Sequence, residues 1–233
     1  MNYLHHPITQ QSFAIIDREI GTHSLSPEEY AIVRRVIHST ADFEFKSLLH
    51  FSPKVIEQAI IALRQKTPII TDVSMVKQGI KTIVQQTFGN PIVVAVEQSP
   101  SALPGKTRTE SGLLTCLQQY PTGIFVFGNA PTALIALCET VTNATPSSES
   151  SLRPSTALES TTHPSMMPSL VIGAPVGFVA VEQSKVTLAQ TTLPHIRVNG
   201  RKGGSPVAAA IVNALLVMAW ERHGQEYVPL ITK

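Results

Sequence analysis

Apolar and polar positions along the chain fall into two alternating patterns. Short, nearly unbroken apolar runs bounded by Pro, Gly or Asn read as strands buried on both faces. They are Thr67–Asp72, Asn90–Val96, Gly123–Phe127, the run that opens Ser169–Phe178, and His195–Asn199. Between them lie stretches with apolar residues three and four positions apart, which read as helices. These are Ser12–Ile20, Tyr30–His38, a helix after Ser52-Pro53 with Val55, Ile56, Ala59, Ile60 and Leu63 on its buried side, Ser74–Gly79, Thr107–Tyr120, Thr132–Glu139 and Glu182–Gln190. Ser26-Pro27-Glu28-Glu29 is a helix start, with an N-cap Ser, Pro at the first helical position and acids in the first turn. The last helix, from about Pro206 to Arg222, is apolar nearly all round and is expected to be buried.

Strands alternating with helices predict one α/β domain over residues 1–233, a three-layer α/β/α sandwich around a mainly parallel five-stranded sheet. Thr142–Pro168 breaks the pattern. Ser, Thr and Pro dominate it, so it reads as a disordered or loosely ordered loop insertion, with a partner-binding or regulatory linker as the functional alternative.

The chain is organised around Gly123–Leu134. Ile124 to Phe127 form a strand, Gly128 and Asn129 turn the chain, Asn129 is a candidate N-cap and Pro131 suits the start of a helix. Such a strand, loop and helix start offers free backbone N–H groups to an anion; the same pattern also describes an ordinary βα turn. Ligands of parallel α/β sheets bind at the carboxyl ends of the strands. That rule gathers Gly128 and Asn129 with Pro175, Val176, Gly177 and Phe178, and with Gly200, Arg201 and Lys202 of the Gly200–Ser205 loop. Glycines, including Gly203 and Gly204, let a ligand approach the backbone. Arg201, Lys202, Arg108 and Lys185 add positive charge, so the rim suits a polyanion.

His38 ends an apolar helical run, and a helix C-terminus favours the protonated imidazole, so it is a candidate proton donor or a structural histidine. Composition narrows the classes. At 233 residues, 43% hydrophobic, with net charge +2 and only 6% aromatic residues, the chain has no nucleic-acid footprint. Cys116 and Cys138 sit in apolar helical stretches and read as buried free thiols, without metal-ligand spacing. No signal-peptide pattern precedes the domain and no apolar run is long enough to span a bilayer, so a cytoplasmic protein is expected. A nucleophile elbow, a Walker A loop and a Gly-x-Gly-x-x-Gly turn after the first strand are all missing, so no metal or nucleotide cofactor is expected.

Six blocks occur in order: Ser12–Ile16, Val36–Phe43, Pro68–Asp72, Gly128–Leu134, Gly173–Val179 and Gly200–Ser205. Together they resemble the precorrin-8X methylmutase (precorrin isomerase) family of cobalamin biosynthesis, over almost the whole chain apart from the Ser/Thr/Pro insertion. The resemblance implies a flavodoxin-like fold and a homodimer with active sites near the subunit interface. It implies a methyl shift from C-11 to C-12 of the contracted tetrapyrrole, precorrin-8X or cobalt-precorrin-8, without an external cofactor. Asp42-Phe43-Glu44-Phe45 leans towards the cobalt form. The family's catalytic proton donor falls at His38. Ser12, Arg18 and Thr107-Arg108-Thr109 are further candidates for contacting the substrate by the same resemblance. Lys202 stands where an apolar residue is common. Two other classes compete: a corrinoid-binding carrier without catalysis, and a flavodoxin-like FMN module, against which the missing Ser/Thr-rich phosphate loop argues.

Overall fold

The computed structural model describes residues 6–144 and 167–226. Most of the Ser/Thr/Pro insertion, residues 145–166, lies outside the described residues. The order is α1 (Pro7–Glu19), α2 (Pro27–Thr40), α3 (Phe45–Leu48), β1 (Leu49–Phe51), α4 (Val55–Arg64), β2 (Ile69–Thr71), α5 (Ser74–Gln86), β3 (Ile92–Val94), α6 (Arg108–Gln119), β4 (Ile124–Phe127), α7 (Pro131–Ala144), β5 (Leu170–Gly173), α8 (Val181–Ala189), β6 (His195–Val198) and α9 (Ser205–Glu226). A turn of 3₁₀ helix, Ala95–Glu97, follows β3.

The sheet has six strands, not the five expected from the apolar runs, in the order β1-β6-β5-β4-β2-β3. The five expected strands are all present and parallel, whereas β1 pairs antiparallel with β6, Leu49 opposite Val198 and Phe51 opposite Ile196. β1 has no apolar run to announce it. It is a three-residue edge strand with His50 at its centre, formed because β6 offers it a partner.

Side-chain alternation builds helical layers on both faces. Ile69, Ile124, Val126, Ile172, Ile196 and Val198 join one core cluster with residues of α2, α4, α5 and α9. Ile70, Phe125, Phe127 and Val171 point the other way, into a cluster with Leu113 of α6, Leu134 and Leu137 of α7 and Leu188 of α8. Period-two alternation of residues that are all apolar is what a doubly covered sheet requires. α9 is buried along most of its described length, as its all-round apolarity predicts.

Two helix starts show the local chemistry clearly, and one expected start does not. Ser26 caps α2 in a reciprocal capping box with Glu29, and Thr107 caps α6 in the same way with Glu110. Ser52-Pro53, expected to open α4 by the same device, does not. α4 starts at Val55 after Lys54, which adopts a left-handed conformation, and the Ser52 hydroxyl instead accepts the His195 N–H at 2.9 Å. The strand-edge bond takes the hydroxyl that the helix would have used. α5 runs seven residues beyond the expected end at Gly79, its apolar face continuing through Ile80 and Val84.

Candidate active site

Three loops leave the carboxyl ends of β4, β5 and β6 and meet. Gly204 N–H donates to Ala174 O at 2.8 Å, and Gly177 N–H to Arg201 O at 3.3 Å. Gly203 has φ +152°, and a Cβ there would lie 2.4 Å from Ala174 O. At Gly128 a Cβ would lie 2.8 Å from both Ser205 Cα and Val76 Cγ2. These loops touch backbone to backbone, which no larger residue permits. Their surface carries Asn129, Val176, Phe178, Arg201 and Lys202, all exposed. Arg201 lies over the Phe178 ring, 5.7 Å from its centroid, and 3.7 Å from Glu182.

The free N–H groups expected after β4 already have an anion. Asp72, directly after β2 and 1% exposed, places Oδ2 at 3.0 Å from Gly128 N, 2.6 Å from Asn129 N and 2.8 Å from Ala130 N. Its Oδ1 accepts Val73 N–H at 2.9 Å. Burial pushes the Asp72 carboxyl up, while the N–H groups of Asn129, Gly128, Ala130 and Val73 pull it down. Asn129 is therefore a loop residue held from below by a carboxylate, not an N-cap.

Lys185 is also placed otherwise than expected. It is 1% exposed, and its ammonium donates at 2.7 Å to both Gly200 O and Lys202 O. It clamps the β6–α9 loop from beneath instead of facing a ligand. Burial lowers its pKa from 10.5 to about 8.

His38 sits exposed in the last turn of α2, its ring edge-on to Phe13 of α1 with centroids 5.5 Å apart. Partial burial and then the Arg35 charge lower its pKa, which reverses the direction expected from a helix C-terminus. Ala41, left-handed at φ 54°, ends α2 and turns the chain into Asp42. Lys202 Nζ then meets Asp42 Oδ2 at 2.6 Å and Glu44 Oε2 at 2.8 Å, which ties the His38 segment to the β6–α9 loop.

Among the remaining candidates, Ser12 is half-buried beside Phe13 and so near His38. Arg18 is not brought there. α1 and α2 run antiparallel, with Asp17 taking the Tyr30 hydroxyl and Arg34 at 3.0 Å, so Arg18 lies over a turn farther from His38. Arg108 is exposed at the start of α6, its Nε donating to Ser99 O at 3.0 Å. Thr107 Oγ1 lies 3.3 Å from Thr132 Oγ1, which sets the α6 start beside that of α7.

Sequence reasoning missed Asp72 and the Asp42–Glu44–Lys202 tie. The signal for Asp72 was present as an acid ending an apolar strand. Both cysteines are buried, and burial pushes the Cys116 thiol up to about 11 and the Cys138 thiol up to about 12, so neither is a nucleophile. A cleft at Glu28, Lys54, Glu57 and Arg222 lies at the other end of α2 from His38 and gathers none of these residues.

A family model described as precorrin-8X methylmutase matches residues 7–150 and 155–218. The chain belongs to that family. Methylmutases of this family are isomerases that catalyse methyl migration in cobalamin biosynthesis, and the chain is such an enzyme. It is 48% identical to the cobalt-precorrin-8 methylmutase of Synechocystis sp., over 93% of this chain and 97% of the relative. It is 38% identical to that of Salmonella typhimurium, over 93% and 97%. The precorrin-8X methylmutase of Sinorhizobium sp. is 31% identical over 89% and 92%. A crystal structure of precorrin-8x methyl mutase from Thermus thermophilus superposes with TM-score 0.78 at 33% identity, covering 93% of this chain and 99% of that one.

Proposed function

We propose that this methylmutase moves a methyl group from C-11 to C-12 of cobalt-precorrin-8, with His38 as proton donor and the three loops as the seat of the macrocycle. The Lys202 tie to Asp42 and Glu44 carries the reading, because it brings the His38 segment to the Gly-rich rim. The substrate's carboxylate arms suit Arg201 and Arg108, and its apolar ring faces suit Val176 and Phe178. Moving the methyl changes ring conjugation, and a positioned acid that protonates the ring typically contributes ~10²–10⁴-fold. The loops contribute by holding C-11 and C-12 in a productive geometry. Relatives named for the cobalt substrate match at up to 48% identity and those named for precorrin-8X at 31% and 32%, which favours the cobalt ring.

The parallel strands, numbered in chain order, lie 2-1-3-4-5, which supports a flavodoxin-like fold. Val176, Phe178 and Val179, at 46%, 84% and 85% exposed, support a homodimer closing beside the site. Among the described residues no helix is long and apolar enough to cross a membrane.

The test is an absorbance time course of cobalt-precorrin-8 and precorrin-8X with wild type and His38→Ala. Conversion by wild type, faster with cobalt and lost in the variant while binding persists, is expected. Binding of both rings without conversion would overturn the reading in favour of a carrier.

A further inference from the structure

We propose that Asp72 is a positioning residue for substrate binding: its carboxylate fills the backbone anion nest after β4 and so sets the loop from which Asn129 meets the ligand. The inference rests on the methylmutase reading above. β2 and β4 are neighbours where the strand order diverges, the place where open α/β sheets bind anionic ligands. Here that place is taken from within.

Three successive N–H groups, those of Gly128, Asn129 and Ala130, converge on the single atom Asp72 Oδ2, the geometry of an anion-binding nest. Asp72 has little freedom to leave. Its own N–H donates to Val126 O at 3.0 Å and its carbonyl accepts Val96 N–H at 3.3 Å, so backbone bonds hold it on both sides. Among the described residues no cation is hydrogen-bonded to its carboxylate, so the charge is balanced by N–H groups and by the start of α7.

The consequence falls on the residue in the middle. Gly128 and Ala130 are buried and Asn129 is exposed, so the nest pins its two neighbours while its side chain stays outside. Because Gly128 also abuts Ser205 and Val76, the same contact spaces the β4–α7 loop from the β6–α9 loop. A substrate carboxylate is kept out of the nest and must be met by side chains.

Asp72→Ala leaves a space the size of formate above the three N–H groups. Hydrogen exchange of the segment 126–134 and steady-state kinetics with cobalt-precorrin-8 are measured on the full chain, with added formate or with the larger propionate. Expected is exchange faster by about tenfold and KM higher by about tenfold with kcat little changed, the scale of one lost charge-assisted hydrogen bond. Formate should restore both, and propionate neither. A wild-type KM in the variant overturns the proposal, as does formate restoring exchange but not KM. If Asp72→Ala does not fold, Asp72→Asn, which keeps the shape and one acceptor oxygen, should show the same changes in smaller measure, and a wild-type KM there overturns the proposal equally. If wild type converts neither ring, the functional reading fails on its own. Exchange then still decides whether Asp72 holds the loop, and corrinoid affinity of wild type and variant decides whether the loop serves a ligand.

Discussion

Lys202 Nζ lies 2.6 Å from Asp42 Oδ2, and that contact joins two segments 160 residues apart in the chain. Lys202 also meets Glu44, and the paired carboxylates raise its pKa while it lowers that of Asp42. Lys202 stands on the loop that touches the β5 loop, and Asp42 four residues after His38. The ammonium therefore sets how the His38 segment meets the rim.

Lys202→Met should change the melting temperature little, since exposed ion pairs are screened by solvent. KM should rise several-fold, because the His38 segment is no longer held to the loop. Thermal unfolding and steady-state kinetics check both, and equal losses of stability and affinity would contradict the assignment.

His38→Asn should lower kcat by ~10²–10⁴-fold while the corrinoid still binds. The pH dependence has a defined sign. An acid acts when protonated, and partial burial with Arg35 holds this imidazole below its ordinary 6.5 in the free enzyme. The wild-type kcat/KM should thus fall as pH rises through a value below 6.5. The kcat profile should turn at higher pH, because a bound polyanion favours the imidazolium. Both limbs should vanish in the variant.

Lys185→Met removes the clamp and leaves the Gly200 and Lys202 carbonyls without that donor, at a cost of ~1–3 kcal/mol. Its linkage runs opposite to that of a paired lysine. The folded pKa is about 8 against 10.5 when unfolded, so between these values the unfolded chain binds more protons. The stability this group contributes therefore rises with pH across that window. The difference in melting temperature between wild type and Lys185→Met, measured from pH 8 to 10.5, should widen in favour of wild type.

Gly203→Ala places a Cβ 2.4 Å from Ala174 O at φ +152°. Backbone strain of ~1–3 kcal/mol is expected from the conformation alone. The clash also forces the β5 and β6 loops apart, so the melting temperature should fall and KM should rise together. A variant with wild-type affinity would show that the two loops need not touch for binding.

The sequence by itself determined the parts whose cause is local. Apolar runs marked all five parallel strands, because a strand covered on both faces has no polar positions to disguise it. Ser26 announced its helix, because a cap is made by residues three positions apart. The Gly-rich segments were legible as one rim, because the carboxyl ends of parallel strands share one edge of the sheet. Tertiary structure decided the rest. β1 exists only where β6 lends it hydrogen bonds, and Ser52 gave up a helix cap to the same edge. Lys185 is like any rim lysine until packing buries it under Gly200. Which anion fills the nest at Gly128 depends on a residue 56 positions earlier, brought there by the parallel pairing of β2 with β4. Charge and residue type are written in the chain, but the partner of a charge is chosen by the fold.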